Sequence, residues 1–225
     1  MTNLSLSKKR VVARVYLIRH GETQANRDGI IQGQKDTRLN ALGEEQARIV
    51  GEVLKEEEFG FAFSSDLMRA RKTAEAIVVH HSNVELMLHK ELRERGMGDM
   101  EGKEGRTKGA KLALAHDKTV EATGEFSHRI VGWWNRVILG QVLSRQKGSD
   151  VVGVLVGTHG GVITTLVREL VGSRKVRSGD GVIILQCMNA SISVIEVDED
   201  GKGELVRFGD VAHLRETRAS DADIL

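Results

Sequence analysis

Strand and helix patterns alternate along this chain, and that alternation predicts an α/β fold with a mostly parallel central sheet. Two segments carry the prediction. Val151 to Gly157 is a nearly unbroken apolar run of strand length, the pattern of a strand covered on both faces. Ala41 to Glu57 sets Ala47, Val50 and Leu54 at helical spacing.

The remaining elements follow in order. Val11 to Ile18 reads as the first strand. Asn40 is placed to cap the helix beginning at Ala41. Phe59 to Phe63 is a short second strand, and Asp66 can cap a helix running to about Val79. Val84 to Leu88 is a third strand. Asp99 to Lys118 is charged, glycine-rich and weakly periodic, an excursion able to cover a site. Phe126 to Leu143 is an amphipathic helix containing Trp133 and Trp134, one expected in the core and one partly exposed. Val162 to Val171 is a helix, and Val182 to Cys187 and Ile192 to Val197 are strands. No linker or repeat divides the 225 residues. The expectation is one domain over 1–225, with a lid-like insertion around 97–125 and a frayed acidic tail at 216–225.

Composition narrows the class of function. Lys plus Arg number 33 and Asp plus Glu 32, for a net charge of +1. A general nucleic-acid or membrane binder is more basic, so any anion site must be a local cluster. The longest apolar stretch is far short of the roughly 18 residues of a membrane span. Met1 to Arg10 has no apolar signal core behind it, which predicts a cytoplasmic protein. Cys187 is the single cysteine, so no internal disulfide forms and a cysteine zinc cluster is excluded. There is no GxxxxGK[ST] loop and no HExxH, and Gly96-x-Gly98-x-x-x-Gly102 misses the dinucleotide spacing. His80-His81 reads as a solvated helix end, because adjacent residues diverge on a helix. Neither a metal nor a cofactor is expected.

The chemistry gathers at two strand ends. The first strand runs into Arg19-His20-Gly21-Glu22-Thr23, and the strongest later strand into Thr158-His159-Gly160-Gly161. Ligand sites in open parallel sheets form at those carboxyl ends. Three further segments accompany them. Asn26 to Gly33 is a polar loop ending in Gln32-Gly33. Ser64 to Arg71 starts a helix, where backbone N–H groups attract anions. Leu92-Arg93-Glu94-Arg95-Gly96 sets a carboxylate between two arginines.

Val15 to Thr23 resembles the signature of the histidine phosphatase superfamily, the phosphoglycerate mutase-like fold. The resemblance continues in order through Gln32-Gly33, Ser64 to Glu75, Leu92 to Gly102 and Gly157 to Gly161. Within that family the wording of Ile30 to Gln34, Phe61 to Arg69 and Leu92 to Arg95 is similar to TIGAR-like fructose-2,6-bisphosphatases.

The resemblance implies a three-layer α/β/α sandwich and a metal-independent phosphatase acting on a small phosphorylated metabolite. It implies His20 as the nucleophile, forming a phosphohistidine, with Arg19, Arg69 and His159 around the transferred phosphoryl group. Guanidinium forks suit that task because they stay charged and bind oxygens in pairs. Glu94 matches the proton donor, protonated for the leaving alkoxide and then ionised to activate water. Asn26, Gln32 and Gly33, with Thr23, Arg95 and Gly160, complete the substrate-binding set.

Mutases of the family continue the acid motif as Glu-Arg-His-Tyr, whereas this chain has Glu94-Arg95-Gly96-Met97, which favours hydrolysis. Arg106 and Arg129 stand alone where a mutase has a substrate-clasping pair. Many of the phosphatases carry Gly-Glu-Ser before the helix after the lid. Val120-Glu121-Ala122 keeps only the glutamate. Lys103, Arg106, Lys108, Lys111 and Lys118 are the lid cations available to a second phosphate, with fructose-2,6-bisphosphate the leading substrate. A phosphoglycerate mutase and a non-catalytic phosphate-binding scaffold are the alternatives.

Overall fold

The computed structural model describes residues 9–145 and 150–215, apart from the side chains of 111 and 113–115, so the expected tail at 216–225 lies outside the described residues. The elements are β1 (Val11–Arg19), α1 (Gln24–Asp28), α2 (Ala41–Leu54), β2 (Phe59–Ser64), α3 (Met68–Val78), β3 (Leu86–Leu88), α4 (Lys108–His116) and α5 (Thr123–Trp133). A π-helical stretch, Trp134–Val142, and α6 (Leu143–Arg145) continue α5. Then come β4 (Val152–Thr158), α7 (Gly160–Gly172), β5 (Val176–Ser178), β6 (Ile192–Asp198) and β7 (Gly203–Asp210).

The seven strands lie in the order β3-β2-β4-β1-β6-β7-β5. Pairing is parallel except where β6 meets β1 and β7. Alternation within β1 sets the layers. Ala13, Val15 and Leu17 face one core with α5, its continuation and α7, while Tyr16 and Ile18 face the other with Val50 of α2 and Ile77 of α3. A strand buried on both faces needs cover on both, and the three-layer α/β/α sandwich follows.

Several expectations change in detail. Asn40 caps α2 as read, its side chain accepting from Gly43 N at 2.8 Å. Asp66 does not cap α3. Its carboxylate is held by Arg93, and Asp36 takes the Met68 N–H from the neighbouring loop at 2.7 Å. Trp133 and Trp134 are both buried, because the helix is enclosed over a wide arc by the sheet and α7. Val182 to Cys187 is not a strand. Its alternation is real, with Val182 and Ile184 packed on the core and Ile183 and Leu185 outward at 69% and 68% exposed, yet the segment joins no ladder. Cys187 is buried with a free thiol. β5 and β7 are too short or too mixed in character to announce themselves. No helix among the described residues is long and apolar enough to cross a membrane.

One close approach fixes the turn after β1. A Cβ on Gly43 would stand 2.0 Å from the Glu22 carbonyl oxygen, and one on Gly21 would stand 2.3 Å from the Gly43 carbonyl oxygen. Helix α2 thus lies directly against the segment that carries His20. Gly43→Ala is expected to cost about 1–3 kcal/mol, a fall of several degrees in Tm for a chain of this size. Gly132→Ala, inside α5 with nothing within 4 Å, is expected to raise stability by roughly 0.5–1 kcal/mol. Thermal unfolding of the two variants checks this, and an unperturbed Gly43→Ala contradicts the close approach.

Candidate active site

The pairing of β1 with β4 assembles the site. Arg19 lies opposite Thr158, and His20 N donates to the Thr158 carbonyl at 2.9 Å, so both histidines leave the sheet at one edge. Their ring centroids are 5.2 Å apart. His20 is 4% exposed and His159 is fully buried. His20 Nδ1 donates to the carbonyl of Gly21 at 2.7 Å, which holds the ring and leaves Nε2 without its proton. Gly21 N in turn donates to Thr73 Oγ1 at 3.0 Å, and that hydroxyl donates to the Arg69 carbonyl, so α3 braces the turn.

Two guanidinium groups are buried beside these rings. Arg69, 1% exposed, donates to the Gly33 and Lys35 carbonyls at 2.8 and 2.9 Å. Arg19 donates to the Cys187 carbonyl at 2.5 Å and packs against Gly160. Among the described residues, the buried Nε of each arginine and the Nδ1 of His159 have no hydrogen-bond partner. Desolvation lowers the pKa of Arg19 and takes Arg69 down to about 10, with the Glu94 carboxylate opposing the shift in each. Both remain cations at neutral pH. Burial first, and then the two arginines, push His20 well below the ordinary histidine range. His159 is lowered the same way, by burial, then Arg69, His20 and Arg19.

Glu94 is held by two backbone N–H groups. One carboxylate oxygen accepts Arg95 N and the other accepts Gly161 N, each at 2.9 Å. A Cβ on Gly161 would stand 2.2 Å from the Glu94 carboxylate, so this approach requires glycine there. The polar loop is bonded to itself. Asn26 Oδ1 accepts from Thr23 N and from Asn189 Nδ2, both at 3.2 Å. Gln32 Oε1 accepts from Thr37 Oγ1 at 2.5 Å and lies 3.0 Å from Thr23 Oγ1. With their oxygens occupied, the amide nitrogens of Asn26 and Gln32 remain as donors.

The fold therefore brings together His20, Arg19, Arg69, His159 and Glu94, with Gly160 against Arg19 and Gly33 against Arg69. Arg95 is partly engaged, its Nε donating to the Glu121 carbonyl at 2.7 Å. Arg106 is tied to the Asn26 and Arg27 carbonyls and links the 97–125 segment to the polar loop. The same seam continues in Gly102 N to Ile31 O at 2.8 Å, and in Glu101, which accepts Gln34 N and Met97 N.

Sequence reasoning left out a supporting layer. Arg129, read as standing alone, grips Glu121 with two hydrogen bonds of 2.8 and 2.9 Å and donates to the Glu91, Arg93 and Glu94 carbonyls. Glu121 also accepts Gly96 N at 2.9 Å. The glutamate retained in Val120-Glu121-Ala122 is thus turned inward to hold the Glu94 segment. Arg93 and Asp66 form a second bidentate pair, at 2.6 and 2.7 Å, on its other side. Asn189 and Gly161 were also missed. Only the Gly-Gly pair after His159 signalled either of them. Among the described residues no group of three or more His, Cys, Asp or Glu could hold a metal ion.

A metal-independent phosphoserine phosphatase from Arabidopsis thaliana is 32% identical over 212 residues, covering 90% of this chain and 84% of its own. Fructose-2,6-bisphosphatase TIGAR B from Danio rerio is 47% identical over 91 residues, 39% of this chain and 35% of its own. The crystal structure of a phosphoglycerate mutase from Bacillus anthracis superposes with a TM-score of 0.74 at 27% identity, covering 93% of this chain and 98% of that one. The family profile of the histidine phosphatase superfamily (branch 1) matches residues 15–211. The chain belongs to the histidine phosphatase superfamily and is a phosphoric monoester hydrolase.

Proposed function

We propose that the chain hydrolyses a phosphomonoester of a small metabolite through a phosphohistidine on His20, without a metal, and that a sugar bisphosphate such as fructose-2,6-bisphosphate is its leading substrate. The observation that carries this reading is the hydrogen bond from His20 Nδ1 to the Gly21 carbonyl. It aims the unprotonated Nε2 into a cluster of buried cations. Because burial and the arginines keep His20 neutral, the lone pair is present at physiological pH without a base to expose it.

In the first step His20 Nε2 forms a bond to phosphorus as the bond to the leaving oxygen breaks, and Glu94 gives that oxygen its proton. In the second step Glu94 takes a proton from water, the water oxygen bonds to phosphorus, and the Nε2–phosphorus bond breaks to release inorganic phosphate. Charge spreads over the equatorial oxygens in both steps. Arg19, Arg69 and His159 supply donors fixed in place before reaction, so little reorganisation is needed. The amides of Asn26 and Gln32 would add neutral donors. The 97–125 segment would act as the cover. A second phosphate would need a cation other than Arg106, which the Asn26 and Arg27 carbonyls already engage.

The test is phosphate release in EDTA from sugar bisphosphates, phosphoglycerates and an aryl phosphate. Preferred release from fructose-2,6-bisphosphate is expected, and release from none of them contradicts the reading. His20→Asn is expected to abolish turnover. Glu94→Gln is expected to slow formation of the phosphohistidine by about 10²–10⁴ with sugar phosphates and far less with an aryl phosphate whose leaving group needs no proton, as read in single-turnover release of the leaving group. Equal losses on both substrates in that first step contradict the proton-donor role.

The neutral histidines also predict a pH dependence of stability. His20 and His159 lie below their unfolded value near 6.5, so as pH falls through 6.5 the unfolded chain takes up protons first. Each then removes up to about 1.4 kcal/mol of stability per pH unit below 6.5. Urea unfolding at pH 7 and pH 5.5 is expected to show this loss, and a His20→Asn, His159→Asn double variant to flatten it. An unchanged slope in that variant contradicts the assignment.

A further inference from the structure

We propose that Ser65 sets the tautomer of His159, and so decides which ring nitrogen presents a proton to the phosphoryl group. The inference rests on the phosphoryl-transfer reading above and adds to it a positioning residue outside the set derived from the motifs. Ser65 follows β2, where its backbone N–H donates to the Gly157 carbonyl at 2.9 Å and so ties it to β4. It is fully buried, as is His159. Ser65 Oγ lies 2.9 Å from His159 Nε2 and accepts Leu67 N at 3.3 Å. The other ring nitrogen, Nδ1, is buried with no partner among the described residues.

A neutral imidazole has one proton and two places for it. If that proton sat on Nε2, Ser65 Oγ would accept from both Nε2 and Leu67 N. Its own hydroxyl hydrogen would then be buried with no acceptor among the described residues. Nδ1 would turn a lone pair toward a pocket built for anionic oxygens. If Ser65 donates to Nε2 instead, the hydroxyl is satisfied on both sides and Nδ1 carries the proton. Only Nδ1–H is then left over, alongside the unpartnered Nε groups of Arg19 and Arg69. All three donors belong to residues beside His20, so each is available to an oxygen of a phosphoryl group held there. Buried polar groups that lack a protein partner mark where a ligand supplies one. His20 and His159 thus share one protonation pattern, Nδ1–H, fixed in opposite ways: a carbonyl accepts from His20 Nδ1, and a hydroxyl donates to His159 Nε2.

The test is the imidazole nitrogen spectrum of the ¹⁵N-histidine-labelled protein at pH 7.5, with orthovanadate as the anionic probe. In the wild-type chain His159 is expected to show a protonated Nδ1 and an unprotonated Nε2. Ser65→Ala is expected to shift the proton toward Nε2 and to weaken vanadate inhibition by roughly 10- to 100-fold, the ratio a hydrogen bond to an anion carries. Ser65→Thr, which keeps the hydroxyl, is expected to restore both. A wild-type His159 protonated at Nε2 overturns the proposal and can be read even if Ser65→Ala does not fold. An unchanged tautomer in a folded Ser65→Ala overturns it equally. If the wild-type tautomer is as expected but vanadate moves neither histidine, the phosphoryl-pocket reading fails while the tautomer assignment stands.

Discussion

Parallel register between β1 and β4, from Ala13 opposite Val152 to Arg19 opposite Thr158, is the constraint on which the rest of the molecule depends. It brings two strand ends, far apart in sequence, to one edge of the sheet. Each ends in a histidine, and each leads directly into a helix or turn that glycine keeps close. Slipping this register by one residue would send every β1 side chain to the opposite face, exchanging the two cores and separating the rings. The proposed catalytic arrangement and the hydrophobic layers are therefore set by one set of backbone hydrogen bonds.

Burial of charge is the second organising fact. Arg19 and Arg69 are taken out of water with carbonyls as their main partners, and burial lowers both pKa values. Such a cluster is costly when empty, since unpartnered buried polar groups are expensive. The cost is tolerable if the site's function is to hold an anion. The same electrostatics depress both histidines, so the field that would bind a phosphoryl group also keeps His20, the proposed nucleophile, neutral. Glu94 is held differently, by two backbone N–H groups and by a segment anchored on each side. The Arg129–Glu121 and Arg93–Asp66 pairs fix that segment, and their bidentate geometry resists rotation.

The parts of this arrangement legible in the sequence are those with a local signature. Val151 to Gly157 announced a doubly covered strand, and Asn40 announced a helix start. His20 and His159 were legible because each follows a strand and precedes glycine. What escaped depends on contacts between distant segments. Asp66 has the chemistry of a helix cap, and nothing local says that Arg93 claims it while Asp36 does the capping. Arg129 reads as a solitary cation on a helix, and only the fold shows three carbonyls and a carboxylate converging on it. Val182 to Cys187 alternates as a strand does. Alternation reports a two-sided environment, and strand pairing requires a free neighbour as well.

The most direct measurement is the position of the phosphate on the enzyme during turnover. Rapid quenching into alkali, followed by proteolysis and mass spectrometry, is expected to find phosphate on His20 alone, and, with an aryl phosphate as substrate, to find more of it in Glu94→Gln. Turnover with no phosphohistidine at His20, or with phosphate on another residue, would contradict the account.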